Sequence, residues 1–389
     1  MKKIQKNNNC TGCTACKNIC PKQCISMIED KYGFKYPDIN EKECIDCNLC
    51  KKVCPIINKI QDSKNSYAYA IINKNDEVRK ESSSGGFFSA IAEYVLEQKG
   101  IVFGAAYNDK YEVEHIGIEN KNDIYMLRGA KYVQSNLEDT FQFIKKELLK
   151  KRMVLFSGTG CQVSGLKNYL QKEYNNLICI DLVCHGVPSP KIWKKYVENR
   201  AKIDNEGKFP KRINMRSKAT GWSRYSYSIQ FFYNEKKQYL QSSGKDSFMR
   251  AFISDLCSRP SCTKCQFKGI NRNSDFTLGD YWGIWNQDLS MDDNKGTSLV
   301  YIHTNKGREM LGKIKDSIII KEMNIDKSWE ENPSVIFSSK LHPKSNLFYE
   351  KIEQGEEFEN AVHCILDIKG KNKKMVKKLK VFFHKIKNV

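Results

Sequence analysis

The chain has 389 residues and a formal net charge of +20, with 65 lysines and arginines against 45 acidic residues. Its length exceeds one ordinary domain and leaves room for a sizeable hydrophobic core beside a smaller module. Sixteen cysteines would indicate a disulfide scaffold in a short secreted protein, but the first ten residues contain no apolar signal segment. No run approaches the ~20 apolar residues of a membrane helix. We therefore expect a protein of the reducing cytoplasm.

The positive charge does not by itself indicate nucleic-acid binding, which also needs a recognisable fold or a basic and aromatic motif. Neither is found, and no nucleic-acid partner is expected. Residues 350–389 are predicted to form a basic C-terminal tail, in which apolar residues alternate with lysines from Lys369 onward. Such a tail could touch an anionic membrane surface weakly, although a solvated helix is the interpretation we favour.

Two copies of one cysteine pattern open the chain, each spaced Cys-x-x-Cys-x-x-Cys-x-x-x-Cys-Pro. Zinc sites use two separated pairs of cysteines, so zinc and disulfides are the weaker interpretations. The pattern resembles bacterial-type ferredoxins with two [4Fe-4S] clusters, in which the fourth cysteine of each copy binds the other cluster. Residues 1–60 are accordingly predicted to form an α+β ferredoxin-like module. The predicted ligands are Cys10, Cys13, Cys16 and Cys54 for the first cluster, and Cys44, Cys47, Cys50 and Cys20 for the second.

A larger α/β domain is predicted over residues 67–345, because apolar strands alternate with amphipathic helices along this stretch. Residues 200–245 interrupt the alternation and are interpreted as an insertion with strand character. The predicted strands lie at 67–72, 101–106, 111–118, 154–156, 177–183, 275–280 and 297–303. The predicted helices lie at 87–99, 138–151, 163–174, 248–256 and 306–314.

Three segments of this domain are typical of anion-binding sites. Residues 82–86 (SSSGG) precede a helix, where free N–H groups and the helix dipole attract negative charge; simple N-capping by one serine is the alternative interpretation. Residues 127–135 (LRGAKYVQS) are basic and flexible. Residues 157–162 (SGTGCQ) join a strand to a helix, but their glycines do not have the dinucleotide-binding spacing. These segments predict a phosphate or cofactor site.

A third group of cysteines is predicted to bind metal. Cys262-x-x-Cys265 supplies two thiolates, and two more must come from elsewhere. Cys161 and Cys184 follow predicted strands, whose carboxyl ends gather at one edge of an open α/β sheet. Cys257 is the rival for one position, and zinc is the rival metal. Because the chain already carries two cluster motifs, a third [4Fe-4S] cluster is favoured.

Six motifs, in this order, resemble the coenzyme F420 hydrogenase/dehydrogenase beta subunit family: SSSGGFFSAI, LRGAKYVQS, FSGTGCQVSGL, LVCHGVPSP, RPSCTKCQFKG and DFTLGDYWG. The resemblance implies an α/β domain that binds FAD and one further [4Fe-4S] cluster and exchanges hydride with F420. Gly160 and Ala130 depart from the family pattern, which usually has proline and often serine there. The residues expected to contact FAD are Ser83, Ser84, Gly85, Gly86, Lys131, Tyr132, Ser135, Gly158, Thr159 and Gly160.

The prediction is an iron–sulfur flavoprotein oxidoreductase, because a flavin accepts electrons in pairs and clusters carry them singly. His185, beside a predicted cluster ligand, and Asp280, in an acidic and aromatic turn, are the weak catalytic candidates. The expected partner is a redox protein or a small-molecule hydride donor or acceptor, F420 or another compound. The alternatives are a non-catalytic electron-transfer subunit and a redox enzyme of surface-polysaccharide biosynthesis.

Overall fold

A computed structural model describes residues 7–223 and 225–367. The N-terminal module is small and mixes helices with a hairpin. Its two strands lie between the two cysteine motifs and pair antiparallel from Ile25↔Ile39 to Glu29↔Lys35. The elements are α1 (Ala15–Ile19), β1 (Ile25–Glu29), β2 (Lys35–Ile39) and α2 (Leu49–Lys52).

The larger α/β part begins at Tyr67 and continues to Leu366. Its first half contains β3 (Tyr67–Asn73), α3 (Asp76–Glu81), α4 (Phe87–Glu97), β4 (Ile101–Tyr107), β5 (Val113–Ile118), α5 (Ile124–Leu127), α6 (Thr140–Leu149), β6 (Val154–Thr159), α7 (Gly160–Leu170), β7 (Leu177–Leu182) and α8 (Pro190–Asn205). Its second half contains β8 (Arg212–Ser217), β9 (Ser228–Phe232), β10 (Gln238–Ser242), α9 (Ser247–Ile253), β11 (Phe276–Asp280), α10 (Ile284–Gln287), β12 (Ser298–Ile302), α11 (Asn305–Ile314), β13 (Ile318–Met323), α12 (Ser345–Glu353) and α13 (Phe358–Leu366).

One mixed sheet of eight strands organises this part, in the order β13-β3-β12-β11-β7-β6-β4-β5. Strands β4, β6, β7 and β11 are parallel neighbours, so their carboxyl ends lie at one edge of the sheet. Strand β12 runs antiparallel to β11 and therefore begins at the same edge. We call this side, where β4, β6, β7 and β11 end, the carboxyl edge. Ligand sites of open α/β sheets gather there.

Helices cover both faces of the sheet and bury its apolar side chains. Helices α4 and α11 pack on one face through residues such as Ile91 and Met310, and α6 and α7 pack on the other through Phe141 and Leu166. Burial of such side chains contributes roughly 1.5–3 kcal/mol each. Within the described residues, no helix is both long and apolar enough to cross a membrane.

The segment interpreted as an insertion is a separate layer of the domain. Residues 200–205 belong to α8, which the sequence analysis did not predict, and the remainder forms the antiparallel sheet β10-β9-β8. Helices α8, α9, α12 and α13 share a buried aromatic cluster with this sheet, which includes Trp193, Phe231 and Phe248. Part of the predicted basic tail therefore belongs to the fold, as α12 and α13. The remaining tail residues, 368–389, lie outside the described residues.

The ferredoxin-like module is packed against the α/β part. Cys13, Ala15 and Val53 join the buried cluster formed by α6 and α7. Helix α7 comes so close that a Cβ atom on Gly165 would lie 2.9 Å from the Cys13 Sγ atom. The Asn18 side chain donates a hydrogen bond to the Glu138 carbonyl at 2.8 Å, at the start of α6. The two parts thus share a continuous core.

Gly33, at the tip of the β1–β2 hairpin, provides a test of this packing. It has a φ of +86°, and an added Cβ would lie 2.3 Å from the Cβ of Lys191 at the start of α8. We expect Gly33→Ala to lower the free energy of unfolding by about 2 kcal/mol or more, through backbone strain and overpacking together. The matched control is Gly207→Ala, whose φ is +83° with nothing within 4 Å, so that only strain applies. Equal losses in urea unfolding would contradict the close packing.

Candidate functional site

Four cysteines of the N-terminal module form the first cysteine site: Cys10, Cys13, Cys16 and Cys54. Helix α1 follows directly from the Cys10–Cys13 loop and carries Cys16, while Cys54 follows α2. Burial, together with a smaller effect of the neighbouring thiols of Cys10 and Cys54, raises the pKa of the Cys13 thiol to about 12. The pKa of Cys16 is raised in the same way, by burial first and then by Cys13, Cys10 and Cys54. The fourth cysteine of the second motif thus lies with the first three of the first motif.

The second cysteine site is the reciprocal set: Cys20, Cys44, Cys47 and Cys50. All four line one open cavity of about 460 Å³. Cys24 lies on the same wall, with its Sγ atom 3.4 Å from that of Cys20. Cys24 is buried, unlike the four cysteines of the site. Cys47 is exposed, so this site faces the outside of the module.

The third cysteine site lies at the carboxyl edge and consists of Cys161, Cys184, Cys262 and Cys265. Cys161 is in the first turn of α7, just after β6, and Cys184 follows β7. These four cysteines line one cavity of about 570 Å³. Burial raises the pKa of Cys161 well above its ordinary value, and Cys265, Cys184 and Cys262 raise it further. Side chains separated by about a hundred residues in sequence therefore face one another.

Cys257, the rival for this site, is packed elsewhere. It is fully buried among the aromatic residues of the α8–α9 cluster. Burial raises the pKa of its thiol, and it does not line the cavity of the third cysteine site. Over residues 7–223 and 225–367, no group of three or more His, Cys, Asp or Glu side chains is arranged to hold a single metal ion.

Cationic groups surround the third cysteine site. The Lys268 ammonium donates hydrogen bonds to the carbonyls of Cys184 and Ser334. Arg272 lies on the same wall, 3.3 Å from the Asp181 carboxylate. His185 also lines the cavity, and its Nε2 atom is 3.0 Å from Asp255 Oδ1. Positive charge near thiolates lowers the cost of burying an anionic cluster.

The first and third cysteine sites are adjacent. Thr11 and Ile56 of the N-terminal module line the cavity of the third site, together with Arg259. Thr11 follows Cys10 directly, and Ile56 is two residues beyond Cys54. Two residues next to ligands of the first site thus form part of the wall of the third.

The turn of residues 82–86 contacts the beginning of β12 at the carboxyl edge. The Gly85 N–H donates to the Ser298 hydroxyl at 3.0 Å, and the Ser84 hydroxyl donates to the Thr297 carbonyl at 2.8 Å. Gly86 has a φ of +86° and begins α4. The Ser84 hydroxyl and the Gly85 N–H therefore donate to groups of the protein itself, whereas the sequence analysis expected these residues to bind an anion. Ser83, the other serine of the predicted set, is partly buried in the same turn.

The other predicted cofactor residues are also near this edge. Burial lowers the pKa of Lys131 to about 7, and its ammonium lies 5.7 Å from the centre of the Tyr107 ring, at the end of β4. The Tyr132 ring stacks on Phe252. The remaining members are Ser135, which accepts a hydrogen bond from Gln162; Gly158, buried in β6; and Thr159 and Gly160, which line the third cysteine site.

Two cations that the sequence analysis missed, Arg216 and Lys218, lie at the end of β8 beside the carboxyl edge. Arg216 is 2% exposed, and its Nη2 atom lies 3.1 Å from Asp280 Oδ1, but not in hydrogen-bond geometry. Its Nε and Nη2 atoms have no hydrogen-bond partner among the described residues. Lys218 donates to the Ser84 carbonyl, and burial lowers its pKa to about 7. Asp280, predicted as catalytic, is thus the ion-pair partner of Arg216.

Comparison with known proteins identifies the family. The description "Coenzyme F420 hydrogenase/dehydrogenase, beta subunit N-term" matches residues 68–141, and that of the C terminus of the same subunit matches residues 151–328. Together the two matches cover most of the chain. The chain belongs to the coenzyme F420 hydrogenase/dehydrogenase beta subunit family. The description "4Fe-4S dicluster domain" matches residues 9–56. The chain is therefore an iron–sulfur member of a family of oxidoreductase subunits.

A search of the curated proteins finds no match. Among solved structures, a chain of the F420-reducing [NiFe] hydrogenase complex from Methanosarcina barkeri is similar over 77% of this chain and 91% of that chain. Its sequence identity is 16% and its TM-score is 0.44.

Within this F420 hydrogenase/dehydrogenase beta subunit fold, the Gly160 departure has a local explanation. A Cβ on Gly160 would lie 3.1 Å from the Phe267 Cβ and 3.2 Å from an Asp181 carboxylate oxygen. A larger residue here would have to displace the segment that carries Cys265. Thr159 begins α7 with a capping box, and its hydroxyl lies 3.1 Å from the Cys161 Sγ atom. The turn is thus shaped to hold Cys161 against the third cysteine site.

Proposed function

We propose that the protein is an iron–sulfur flavoprotein oxidoreductase in which the three cysteine sites hold [4Fe-4S] clusters and FAD binds at the carboxyl edge. The adjacency of the first and third sites carries this proposal, because Thr11 and Ile56 line the third cavity. The order is then second site, first site, third site and flavin, the last two both at the carboxyl edge. Single electrons would move along this row between a redox partner at the exposed second site and the flavin.

The third site fits an iron–sulfur cluster better than a fortuitous group of thiols. Four cysteines and no carboxylate of the described residues line its cavity. Thiolate sets of this kind select iron–sulfur clusters or zinc. Lys268 and Arg272 on its wall supply positive charge. The same chain also contains a dicluster domain next to the site, which favours the cluster over zinc.

The proposed FAD site rests on buried donor atoms that lack hydrogen-bond partners among the described residues. Arg216 is buried with two donor atoms free of hydrogen bonds in the part of the chain that the structure describes. The Tyr107 hydroxyl, which is also buried, lacks a partner in the same part of the chain. Buried donors are normally satisfied, so unmatched donors indicate an unseen group. The pyrophosphate and ring carbonyls of a flavin have the required acceptors.

In this arrangement, residues of the chain would bind and orient the proposed FAD. Arg216 and Lys218 would neutralise the pyrophosphate, and Asp280 would hold the Arg216 guanidinium in place. Lys131, whose pKa is lowered to about 7 by burial, would become fully charged beside an anion. His185, whose Nε2 atom is held by Asp255, lines the third site and is the candidate group for proton transfer. Bound FAD supplies the conversion between paired and single electrons.

The substrate of such a site would be a hydride donor or acceptor, either F420 or another small molecule. The second candidate function is a non-catalytic electron-transfer subunit, which the description of the family as a beta subunit favours. Metal and flavin analysis of protein purified without oxygen separates the two. The oxidoreductase should contain about twelve irons and release one flavin on denaturation. About eight irons without flavin would support the electron-transfer subunit and contradict the oxidoreductase.

Arg216→Met tests the proposed flavin site. We expect flavin occupancy to fall about tenfold or more, because a buried cation facing a phosphate is replaced by an apolar side chain. Iron content should remain that of the unaltered protein. The matched control is Arg212→Met on the same strand, where the arginine is exposed and pairs with Glu81. If both variants keep their flavin, the site lies elsewhere. Fluorescence of the released flavin gives the measurement.

A further inference from the structure

Arg259 is a buried cation between the N-terminal module and the α/β part. Its relative exposure is 0%. The guanidinium donates three hydrogen bonds, at 2.8–2.9 Å, to the carbonyl of Cys10, the side-chain carbonyl of Gln134 and the carbonyl of Lys35. It also stacks over the Tyr36 ring, 4.3 Å from the ring centre. All of these hydrogen-bond acceptors are neutral.

The other buried arginines of the described residues have carboxylate partners. Each lies within ion-pair distance of an aspartate: Arg79 with Asp293, Arg200 with Asp204, Arg216 with Asp280, and Arg272 with Asp181. No carboxylate among residues 7–223 and 225–367 forms an ion pair with Arg259. An uncompensated buried charge is strongly unfavourable. A neutral side chain would suffice if only hydrogen bonds were needed, so the charge itself calls for a counter-charge.

Arg259 contacts the backbone of a predicted ligand from each of two cysteine sites. Its side chain holds the backbone of Cys10, and its own carbonyl accepts a hydrogen bond from the Cys262 N–H at 3.0 Å. Arg259 also lines the third cavity. A Cβ on Gly12 would lie 3.1 Å from Nη1, so the loop of the first site approaches the guanidinium closely. The positive charge therefore lies between the first and third sites.

We propose that Arg259 is the shared counter-ion of the clusters at the first and third cysteine sites, and a positioning residue for electron transfer between them. For the third site, this rests on the proposed function. Four thiolates make such a cluster anionic, and each added electron makes it more so. A fixed cation stabilises the reduced form more than the oxidised form and raises the reduction potential. The second site, which Arg259 does not contact, should be affected least.

Arg259→Gln and Arg259→Lys test the proposal by anaerobic redox titration with EPR detection. In the glutamine variant, the potentials of the first and third clusters should become more negative while that of the second stays constant. The equilibrium constant for electron exchange between the first and second clusters should then shift about tenfold or more. The lysine variant keeps the charge, so its potentials should stay close to those of the unaltered protein. Arg212→Gln removes an exposed charge and should change nothing.

The possible outcomes of these titrations can be told apart. The proposal is overturned if the glutamine variant keeps its iron and its potentials, or if glutamine and lysine shift them equally. It is also overturned if all three clusters shift together, because that would indicate a general loss of structure. If the glutamine variant loses iron, the lysine variant alone decides, since it must then retain both iron and potentials. Eight irons in the unaltered protein would instead contradict the third cluster, and the first cluster would still report on Arg259.

Discussion

Replacing Cys20 with alanine is expected to abolish the cluster that Cys47 binds, although Cys20 belongs to the other sequence motif. The reason is the exchange of fourth ligands, since Cys20 shares a cavity with Cys44, Cys47 and Cys50. A [4Fe-4S] cluster without one of its four thiolate ligands is expected to dissociate or to become labile, so the iron content should fall by about four per chain. Iron analysis and low-temperature EPR of the reduced protein provide the measurement.

Comparison among variants makes this result decisive. The EPR spectrum of Cys20→Ala should match that of Cys47→Ala and differ from that of Cys13→Ala, which removes a ligand of the first site. Cys24→Ala is the control, because its thiol lies 3.4 Å from Cys20 but is not a predicted ligand. If Cys20→Ala instead reproduces Cys13→Ala, each motif binds its own cluster and the exchanged arrangement is wrong.

Removing ligands of the third cysteine site should interrupt electron transfer between the N-terminal module and the α/β part. For Cys161→Ala and Cys265→Ala, we expect a loss of about four irons while the signals of the first two clusters remain. If the proposed function is right, electron transfer between the dicluster domain and the proposed flavin should slow at least about 100-fold, because the proposed intermediate carrier is missing. Metal analysis measures the first effect. Stopped-flow bleaching of the flavin by reduced ferredoxin measures the second.

Cys257→Ala is the matched control for these variants. This cysteine is buried in the aromatic cluster and lies outside the third cavity. Its replacement should cost only packing energy, roughly 1 kcal/mol, and leave the iron content unchanged. Loss of iron from Cys257→Ala, with none from Cys161→Ala, would reassign the ligand set. One zinc in place of four irons in the unaltered protein would instead identify the site as zinc-binding.

The cysteine sites were the part of the function most accessible from sequence. Cluster ligation requires fixed local spacing, and the two repeated motifs display it directly. Cys161 and Cys184 could be paired across the fold because both follow predicted strands, and parallel strands end at one edge. The main strand and helix segments from Tyr67 to Ile314 could be predicted for a related reason, since buried sheets and amphipathic helices have characteristic periodicities.

The cations at the site could not be found in the same way. Arg216 lies in a strand that was taken for an insertion, and arginine is ordinarily an exposed residue. Arg259 acquires its role only from Cys10 and Lys35, more than two hundred residues away. Helix α8, in contrast, had a readable beginning, because Ser189 caps it and Pro190 occupies its first turn. The signal was present there and was overlooked.

The contact of Gly165 with Cys13 affects how this architecture can be divided. Because α7 carries Cys161 at its start and Gly165 one turn later, a single helix touches both the third and the first cysteine sites. Gene fission between the module and the α/β part would uncover Cys13, which is now only 8% exposed. The released ferredoxin would expose an apolar face and leave its inner cluster open to oxygen. The fused chain therefore covers the first cysteine site, which the proposed function places in the middle of the row of clusters.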